Sequence, residues 1–270
     1  MKLKVRHFDQ KTFEDVFKSF EHINFSLFVD DIPQSANDLS DINILVLQEP
    51  NEYFGLHDWA LANQNLFQVI LTWDEKLLNQ CENSMLLPFG HTWFLPEQYN
   101  QDYKKEFKTA HLCGKLNKTY GQSLRHELLA RKNEIITPIK FFDVYGDRYN
   151  IEEARKGKVE VFSDSMFGVA IENTNHRNYF TEKILDLFLL KTIPIYWGCS
   201  NINDYFNPKG IIKVDNVDDI IKVVNNLDEN FYKNAEEAIN ENWNTALSFV
   251  SYEHNIFNLI ETIFKHNKFI

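Results

Sequence analysis

Short apolar segments that alternate with helix-like segments are the feature of this sequence that most constrains its fold. Residues 43–48 read NILVLQ, residues 167–171 read FGVAI and residues 193–197 read IPIYW. Continuous apolar runs of this length are typical of parallel strands that are covered on both faces. Between the last two runs, residues 181–190 carry apolar side chains at helical spacing. The alternation predicts an α/β fold that is built from right-handed βαβ units.

The same alternation occurs twice along the chain. We predict strands at residues 2–7, 25–29, 43–48, 68–72, 111–113, 140–144, 167–171, 193–197 and 211–214, with a turn at 145–147. We predict helices at residues 11–20, 57–65, 123–132 and 181–190, and a mostly helical region from residue 217 to the end. Two such series predict two Rossmann-like domains that face a cleft, with a ligand bound at the carboxyl ends of the strands.

A polar stretch without apolar periodicity, residues 100–108, marks the expected domain boundary. We therefore expect an N-terminal domain at residues 1–105 and a C-terminal domain at residues 106–270. The last helix belongs to the C-terminal half of the sequence but can pack back on the N-terminal domain.

Charge and cysteine content exclude several classes of function. Among the 270 residues, 28 Lys and Arg face 39 Asp and Glu, which gives a net charge of −11. Such a chain lacks the basic footprint of a nucleic-acid-binding protein. Three scattered cysteines, Cys81, Cys113 and Cys199, predict neither a disulfide scaffold nor a zinc cluster and fit a reducing compartment.

Hydropathy along the chain gives an expectation for its location. No apolar run approaches the ~20 residues of a membrane-spanning helix, and we recognise no signal peptide at the N-terminus. We therefore expect a cytoplasmic protein, of a bacterium or of a virus-infected host cell, with peripheral membrane association left open.

A polar segment follows the predicted strand at residues 167–171. Glu172 and Asn173 lie at the carboxyl end of that strand, and Thr181 can cap a helix that begins with Glu182 and Lys183. The N–H groups at a helix start attract anions, and the Lys183 ammonium adds positive charge. This arrangement predicts a diphosphate site, in which the Glu182 carboxylate can accept hydrogen bonds from ribose hydroxyl groups.

The order of residues in this segment resembles the C-terminal donor-binding motif of the α-1,3-fucosyltransferases, glycosyltransferase family 10. The resemblance rests on Glu172 and Asn173, followed by YFTEK at residues 179–183. It continues through TIPIYWG at residues 192–198 and FNPK at residues 206–209. It implies the GT-B arrangement of two Rossmann-like domains that face a cleft. It also implies inverting sugar transfer from GDP-fucose to an acceptor glycan, with no metal ion or other cofactor required.

The resemblance implies a set of donor-binding residues in the C-terminal domain. Arg125 and Lys183 would stabilise the diphosphate, Glu182 would hold the ribose, and further donor contacts would come from Asn173 and Tyr179. Glu172 and Thr181 would support this site. For Arg125 a place on the helix surface, for Tyr179 a packing role and for Glu172 a role in orienting the loop remain as alternatives.

The resemblance also implies a catalytic base in the N-terminal, acceptor-side domain. The segment LQEPNE at residues 47–52 follows a predicted strand and is similar to the family segment that carries the catalytic Glu. We assign that role to Glu49, with Glu52 and Asp58 as alternatives.

The sequence departs from the family pattern in ways that leave the donor sugar open. Ile171 stands where the family has Phe, and His176 and Asn178 stand where similar bacterial members have glycine. Another donor, such as UDP-xylose, another UDP-sugar or GDP-mannose, is therefore an alternative to GDP-fucose. A non-catalytic module that binds a nucleotide sugar or a glycan is a third hypothesis.

Overall fold

The computed structural model describes residues 1–6, 9–144 and 151–266. Its strands are β1 (Lys2–Val5), β2 (Phe25–Val29), β3 (Ile42–Leu47), β4 (Val69–Thr72), β5 (Ser84–Leu86), β6 (Glu106–Gly114), β7 (Ile139–Val144), β8 (Ser165–Ile171), β9 (Ile193–Trp197) and β10 (Ile212–Lys213). Its α-helices are α1 (Gln10–Val16), α2 (Asn51–Phe54), α3 (Leu56–Ala62), α4 (Glu75–Gln80), α5 (Pro96–Tyr99), α6 (Tyr120–Ala130), α7 (Ile151–Phe162), α8 (Glu182–Leu189), α9 (Val217–Asn226), α10 (Glu229–Asn234), α11 (Glu236–Ala246) and α12 (Tyr252–His266). Residue 7 of the first predicted strand, the predicted turn at 145–147 and residues 267–270 lie outside the described residues.

The chain divides into two compact units. The first contains Met1–Phe89, Arg177–Tyr179 and Ser251–Ile270, and the second contains Gly90–His176 and Phe180–Val250. Each unit is built around one five-stranded sheet whose neighbouring strands are parallel. The predicted α/β fold with two Rossmann-like sheets is therefore confirmed.

The sheet of the first unit follows the order of the chain, β1-β2-β3-β4-β5. Its central strands β2 and β3 are buried along their whole length. Alternate side chains of a strand point to opposite faces. In β3, Ile44 and Val46 pack in a cluster with α1 and α12, whereas Leu45 and Leu47 pack in a cluster with α3 and α4. Apolar burial on both faces explains why these segments read as continuous hydrophobic runs.

The sheet of the second unit has the order β10-β9-β8-β6-β7. This is a doubly wound order in which the chain direction across the sheet reverses between β6 and β8. Ligands of doubly wound sheets bind beyond the carboxyl ends of the strands at such a switch point. Two segments begin there: the one that follows β8, from Glu172, and helix α6, which follows β6.

Strand β6 and helices α4 and α7 are among the elements that differ from the sequence-based expectation. Strand β6 covers nine residues, Glu106–Gly114, instead of the predicted 111–113, because polar side chains alternate with apolar ones along its first half. Helices α4 and α7 were not predicted, because polar residues fill four of six positions of EKLLNQ and charged residues fill six of twelve positions of IEEARKGKVEVF.

Candidate functional site

Glu172 is the first residue after β8, and its side chain is fully buried. Its carboxylate accepts hydrogen bonds from the backbone N–H of Thr181 at 2.9 Å and from the Thr181 hydroxyl at 2.7 Å. Burial raises the pKa of Glu172, against the opposing effect of Lys183, whose Nζ lies 3.7 Å from Oε2. Glu172 therefore ties the end of β8 to the start of α8, which is a loop-orienting position.

The start of α8 gathers the charged residues that the sequence motif contains. Thr181 is its N-cap, as predicted, and accepts hydrogen bonds from the backbone N–H of Lys183 at 3.3 Å and from Lys183 Nζ at 3.1 Å. Lys183 Nζ also lies 3.2 Å from Glu182 Oε1. Burial opposes ionisation of Glu182, but the charges of Lys183 and Lys158 outweigh it and hold the pKa of Glu182 well below its usual range. Glu182 is therefore an ionised hydrogen-bond acceptor at neutral pH.

Lys158 of α7 joins this helix start to the segment that precedes α5. Its Nζ lies 2.8 Å from Asp186 Oδ2 and 3.7 Å from Glu182 Oε1. Asp186 Oδ1 in turn accepts hydrogen bonds from the Thr92 hydroxyl at 2.7 Å and from the backbone N–H of Trp93 at 3.3 Å. The buried Asp186 carboxylate is thereby fully engaged, and Lys158 supports the orientation of Glu182.

Arg125 lies on α6 and reaches the end of β8. Its Nε and Nη2 donate to the carbonyl oxygen of Ile171 at 2.9 and 2.6 Å, and Nη2 also donates to Asn173 Oδ1 at 2.9 Å. The N–H of Gly121 donates to the carbonyl oxygen of Asn173 at 3.2 Å. A Cβ atom at position 121 would overlap the carbonyl oxygen of Glu172. Glycine therefore permits the close approach that brings Arg125 and Asn173 together.

Glu49 follows β3 in the first unit, and its residue is half-buried. Side chains bind every main-chain polar group of Gln48 and Glu49. The N–H groups donate to Asp30 at 2.8 and 3.2 Å, and the carbonyl oxygen of Gln48 accepts from Trp73 Nε1 at 2.6 Å. The carbonyl oxygen of Glu49 lies 2.9 Å from His57 Nε2. The main chain that carries the Glu49 carboxylate is therefore fixed on both sides.

Asp30 is a buried carboxylate at the end of β2, and it adopts a positive φ of 46°. Burial raises the pKa of Asp30 to about 8, and the charge of Glu49 acts in the same direction. The two N–H donors of residues 48 and 49 oppose this shift. The alternative bases are placed differently: Glu52 is exposed, and Asp58 is exposed and forms an ion pair with Lys76 at 2.7 Å.

The predicted site residues form two groups, one in each unit. Six of them lie around the end of β8 and the start of α8, namely Arg125, Glu172, Asn173, Thr181, Glu182 and Lys183. Tyr179 is grouped with the first unit, where its fully buried ring packs against Trp73 at a centroid distance of 4.7 Å. Glu49 also belongs to the first unit.

Sequence reasoning missed several residues that support these groups. Asp30 directly follows an apolar strand, which is the same signal that singled out Glu49, and could have been found. His57, Trp73 and Lys158 carry no such signal, because their partners are distant in the sequence. Gly121 could not be distinguished from a helix glycine without the structure.

Within residues 1–6, 9–144 and 151–266, side chains of His, Cys, Asp and Glu form no group of three that could hold a metal ion. In the same ranges, the helices are too short or too polar to cross a membrane.

Two Rossmann-like units, the second of which carries cations and a buried carboxylate at its switch point, are typical of α/β proteins that bind nucleotides. The model of glycosyltransferase family 10 (fucosyltransferase), C-terminal part, matches residues 103–254. This match covers more than half of the chain, and the chain therefore belongs to glycosyltransferase family 10.

Individual relatives agree with this assignment. The α-(1,3)-fucosyltransferase FucT of Helicobacter pylori is 39% identical over 90 residues, which are 32% of this chain and 18% of that protein. The match thus spans less than a fifth of that relative's length. A crystal structure of an α1,3-fucosyltransferase has a TM-score of 0.57 at 18% identity, over 90% of this chain and 82% of the other. A crystal structure of an α1,3-fucosyltransferase with GDP-fucose has a TM-score of 0.55 at 20% identity, with the same coverage. These structures share the fold.

Proposed function

We propose that this chain transfers fucose from GDP-fucose to a hydroxyl group of an acceptor glycan, with inversion at the anomeric carbon and without a metal ion. The observation that carries the proposal is the grouping of Arg125, Asn173, Glu182 and Lys183 at the switch point of the second unit. Family membership, and the GDP-fucose bound to an α1,3-fucosyltransferase of the same fold, support this donor.

The second unit supplies the chemistry of the donor side. The nucleoside diphosphate gains negative charge as it leaves, and fixed cations stabilise such charge. The Arg125 guanidinium can bind two phosphate oxygens at once, whereas the Lys183 ammonium acts as a point charge. The Glu182 carboxylate, kept ionised by its neighbours, accepts hydrogen bonds from the ribose hydroxyl groups. Asn173 contacts the donor beside Arg125, and Glu172 and Thr181 hold the segment in place. A donor contact of Tyr179, whose ring is buried in the first unit, stays a prediction.

The first unit supplies the acceptor side. A single displacement with inversion needs a base that takes the proton of the acceptor hydroxyl as the new bond forms. We propose Glu49 for this role, because its main chain is fixed by buried partners while its residue stays only half-buried. We also propose that residues 1–105 form the acceptor-side domain and residues 106–270 the donor-binding domain, with the last helix packed back on the N-terminal domain, in a cytoplasmic enzyme.

The substitution Glu49→Gln tests this function. We expect transfer from GDP-fucose to fall by about 10²–10⁴-fold, because the amide cannot accept the proton. Binding of GDP, measured by the rise in melting temperature, should not change. Glu52→Gln, which alters an exposed carboxylate three residues away, is the matched control and should transfer normally. Loss of transfer in Glu52→Gln but not in Glu49→Gln would move the base to Glu52.

A nucleotide panel tests the donor separately. A ligand that binds only the folded state stabilises it by about 2.7 kcal/mol at a hundredfold excess over its dissociation constant. We expect GDP to raise the melting temperature more than UDP or CMP does. Stabilisation by UDP alone would favour a UDP-sugar donor. Stabilisation by GDP without turnover of GDP-fucose would point to GDP-mannose or to a non-catalytic binding module.

A further inference from the structure

His57 is a buried histidine, 2% exposed, whose two ring nitrogens both face hydrogen-bond acceptors. Nδ1 lies 2.6 Å from Asp74 Oδ2, and Nε2 lies 2.9 Å from the main-chain carbonyl oxygen of Glu49. A carbonyl oxygen has no proton to give, so Nε2 must donate. A bond of 2.6 Å between Nδ1 and a carboxylate oxygen also needs a proton. Both bonds are therefore made when His57 is an imidazolium beside the Asp74 carboxylate.

Asp74 is itself held in place. It is the N-cap of α4, where its Oδ1 accepts the backbone N–H of Lys76 at 2.8 Å. Its own N–H donates to the Thr72 hydroxyl at 3.1 Å. One carboxylate thus caps a helix with one oxygen and orients His57 with the other.

Other side chains restrict the His57 ring. Trp73, whose indole N–H binds the carbonyl oxygen of Gln48, packs against it at a centroid distance of 5.2 Å. The backbone N–H of His57 donates to Asn51 Oδ1 at 3.0 Å. The His57 ring is therefore held by a helix cap, an aromatic ring and its own main chain.

The charged groups around His57 come from three elements. Asp74 and Lys76 belong to the start of α4, Asp58 follows His57 on α3, and Glu49 follows β3. Asp58 and Lys76 form an ion pair at 2.7 Å, and the hydrogen bond from Lys76 and its charge lower the pKa of Asp58. Asp74 is thus the carboxylate that pairs directly with the ring of His57.

We propose that His57, held as an imidazolium by Asp74, is a positioning residue that fixes the main chain of Glu49 for proton abstraction. This inference rests on the proposed function of Glu49 as the base. The role is distinct from catalysis, because His57 contacts only the main chain of Glu49.

Two variants separate the effect of the two hydrogen bonds of the His57 ring from the effect of its charge. His57→Phe removes both bonds but keeps a ring of similar size, and we expect kcat to fall by about 10²-fold with little change in KM for GDP-fucose. In Asp74→Asn, the amide oxygen can still cap α4 and the amide NH₂ can donate to Nδ1 of a neutral His57. Both bonds then persist without the charge. We therefore expect the kcat of Asp74→Asn to stay near the wild-type value, in contrast to that of His57→Phe. His254→Phe, at an exposed histidine of α12, is the control and should have wild-type kinetics.

A measurement that does not depend on activity tests the protonation state. In ¹⁵N NMR spectra of the wild type at neutral pH, both ring nitrogens of His57 should carry protons, and the signal that His57→Phe lacks identifies them. In Asp74→Asn, only Nε2 should carry a proton. A neutral ring in the wild type would overturn the proposal.

The kinetic outcomes distinguish the two proposals. Full transfer by Glu49→Gln would overturn the base assignment and, with it, the role of His57. Wild-type kcat in His57→Phe, together with an inactive Glu49→Gln, would overturn only the positioning role.

Discussion

The ends of β3 and β8 are each held by a buried carboxylate that accepts main-chain N–H groups. In the first unit, Asp30 accepts the N–H groups of Gln48 and Glu49. In the second unit, Glu172 accepts the N–H of Thr181, which caps α8. The segment that is held differs: in one case it carries a half-buried carboxylate, and in the other it carries the start of a helix with Lys183.

The surroundings of the two carboxylates differ as well. Lys183 Nζ lies 3.7 Å from Glu172 Oε2, and the Thr181 hydroxyl donates to the Glu172 carboxylate. Asp30 has no ion-pair partner among the residues that the structure describes, and its contacts are with main-chain N–H groups. A carboxylate at a strand end can thus be a structural anchor, as Glu172 and Asp30 are, or a candidate for chemistry, as Glu49 is.

The largest effect is expected where the second unit relies on close packing of the backbone. Gly121→Ala would place a methyl group on the carbonyl oxygen of Glu172, so we expect a loss of about 3 kcal/mol in the free energy of unfolding. Gly114→Ala is the matched control, because a Cβ atom there has no neighbour within 4 Å, and its effect should stay within about 0.5 kcal/mol. Urea unfolding measures both. Equal stability of the two variants would contradict the tight contact between α6 and the end of β8.

A smaller effect is expected on the pH dependence of stability, because the Asp30 carboxylate is buried without an ion-pair partner among the described residues. The pKa of Asp30, about 8 in the folded protein, lies above the usual value of 3.8. The folded state therefore binds this proton more tightly, and its contribution to stability is present at acid pH and is lost as the pH rises towards 8. Between pH 5 and 7, the free energy of unfolding of the wild type should fall by about 1.4 kcal/mol per pH unit relative to that of Asp30→Asn.

The matched control for this measurement is Asp31→Asn, which removes the neighbouring, partly exposed carboxylate that pairs with Arg6. It should keep the pH dependence of the wild type. Parallel curves for the wild type and Asp30→Asn would show that Asp30 is ionised in the folded protein, which would contradict its raised pKa.

Sequence patterns predicted those parts of the fold that local chemistry determines. The bounds of β2 and β9 were predicted residue for residue, because both are short, mainly apolar runs that are followed by a polar residue or glycine. The N-cap Thr181 was predicted from the order of a capping residue and an amphipathic helix. Strand β6 was predicted too short, because its exposed start resembles a loop.

The candidate site was predictable only in part. Polar residues that follow buried strands, such as Glu49 and Glu172, are visible in the sequence. Their roles depend on partners that only the fold brings near. His57 reaches the main chain of Glu49 and the side chain of Asp74, which lie eight and seventeen residues away in the sequence. Burial and pairing of this kind have no local signature.

The smallest expected effect concerns the Thr181 hydroxyl, which donates to Glu172, whereas the donors to Asp30 are main-chain N–H groups. Thr181→Ala removes a helix cap, worth about 1 kcal/mol, and also the hydroxyl donor to the buried Glu172 carboxylate. Asn216→Ala is the control. It removes the N-cap of α9, whose side chain accepts the backbone N–H of Asp219 but does not donate to a buried carboxylate. We expect Thr181→Ala to cost about 1 kcal/mol more than Asn216→Ala in urea unfolding, and Thr181→Ser to restore most of the loss. Equal costs would mean that the main-chain N–H alone satisfies Glu172, which would make the two buried carboxylates alike in depending on main-chain donors.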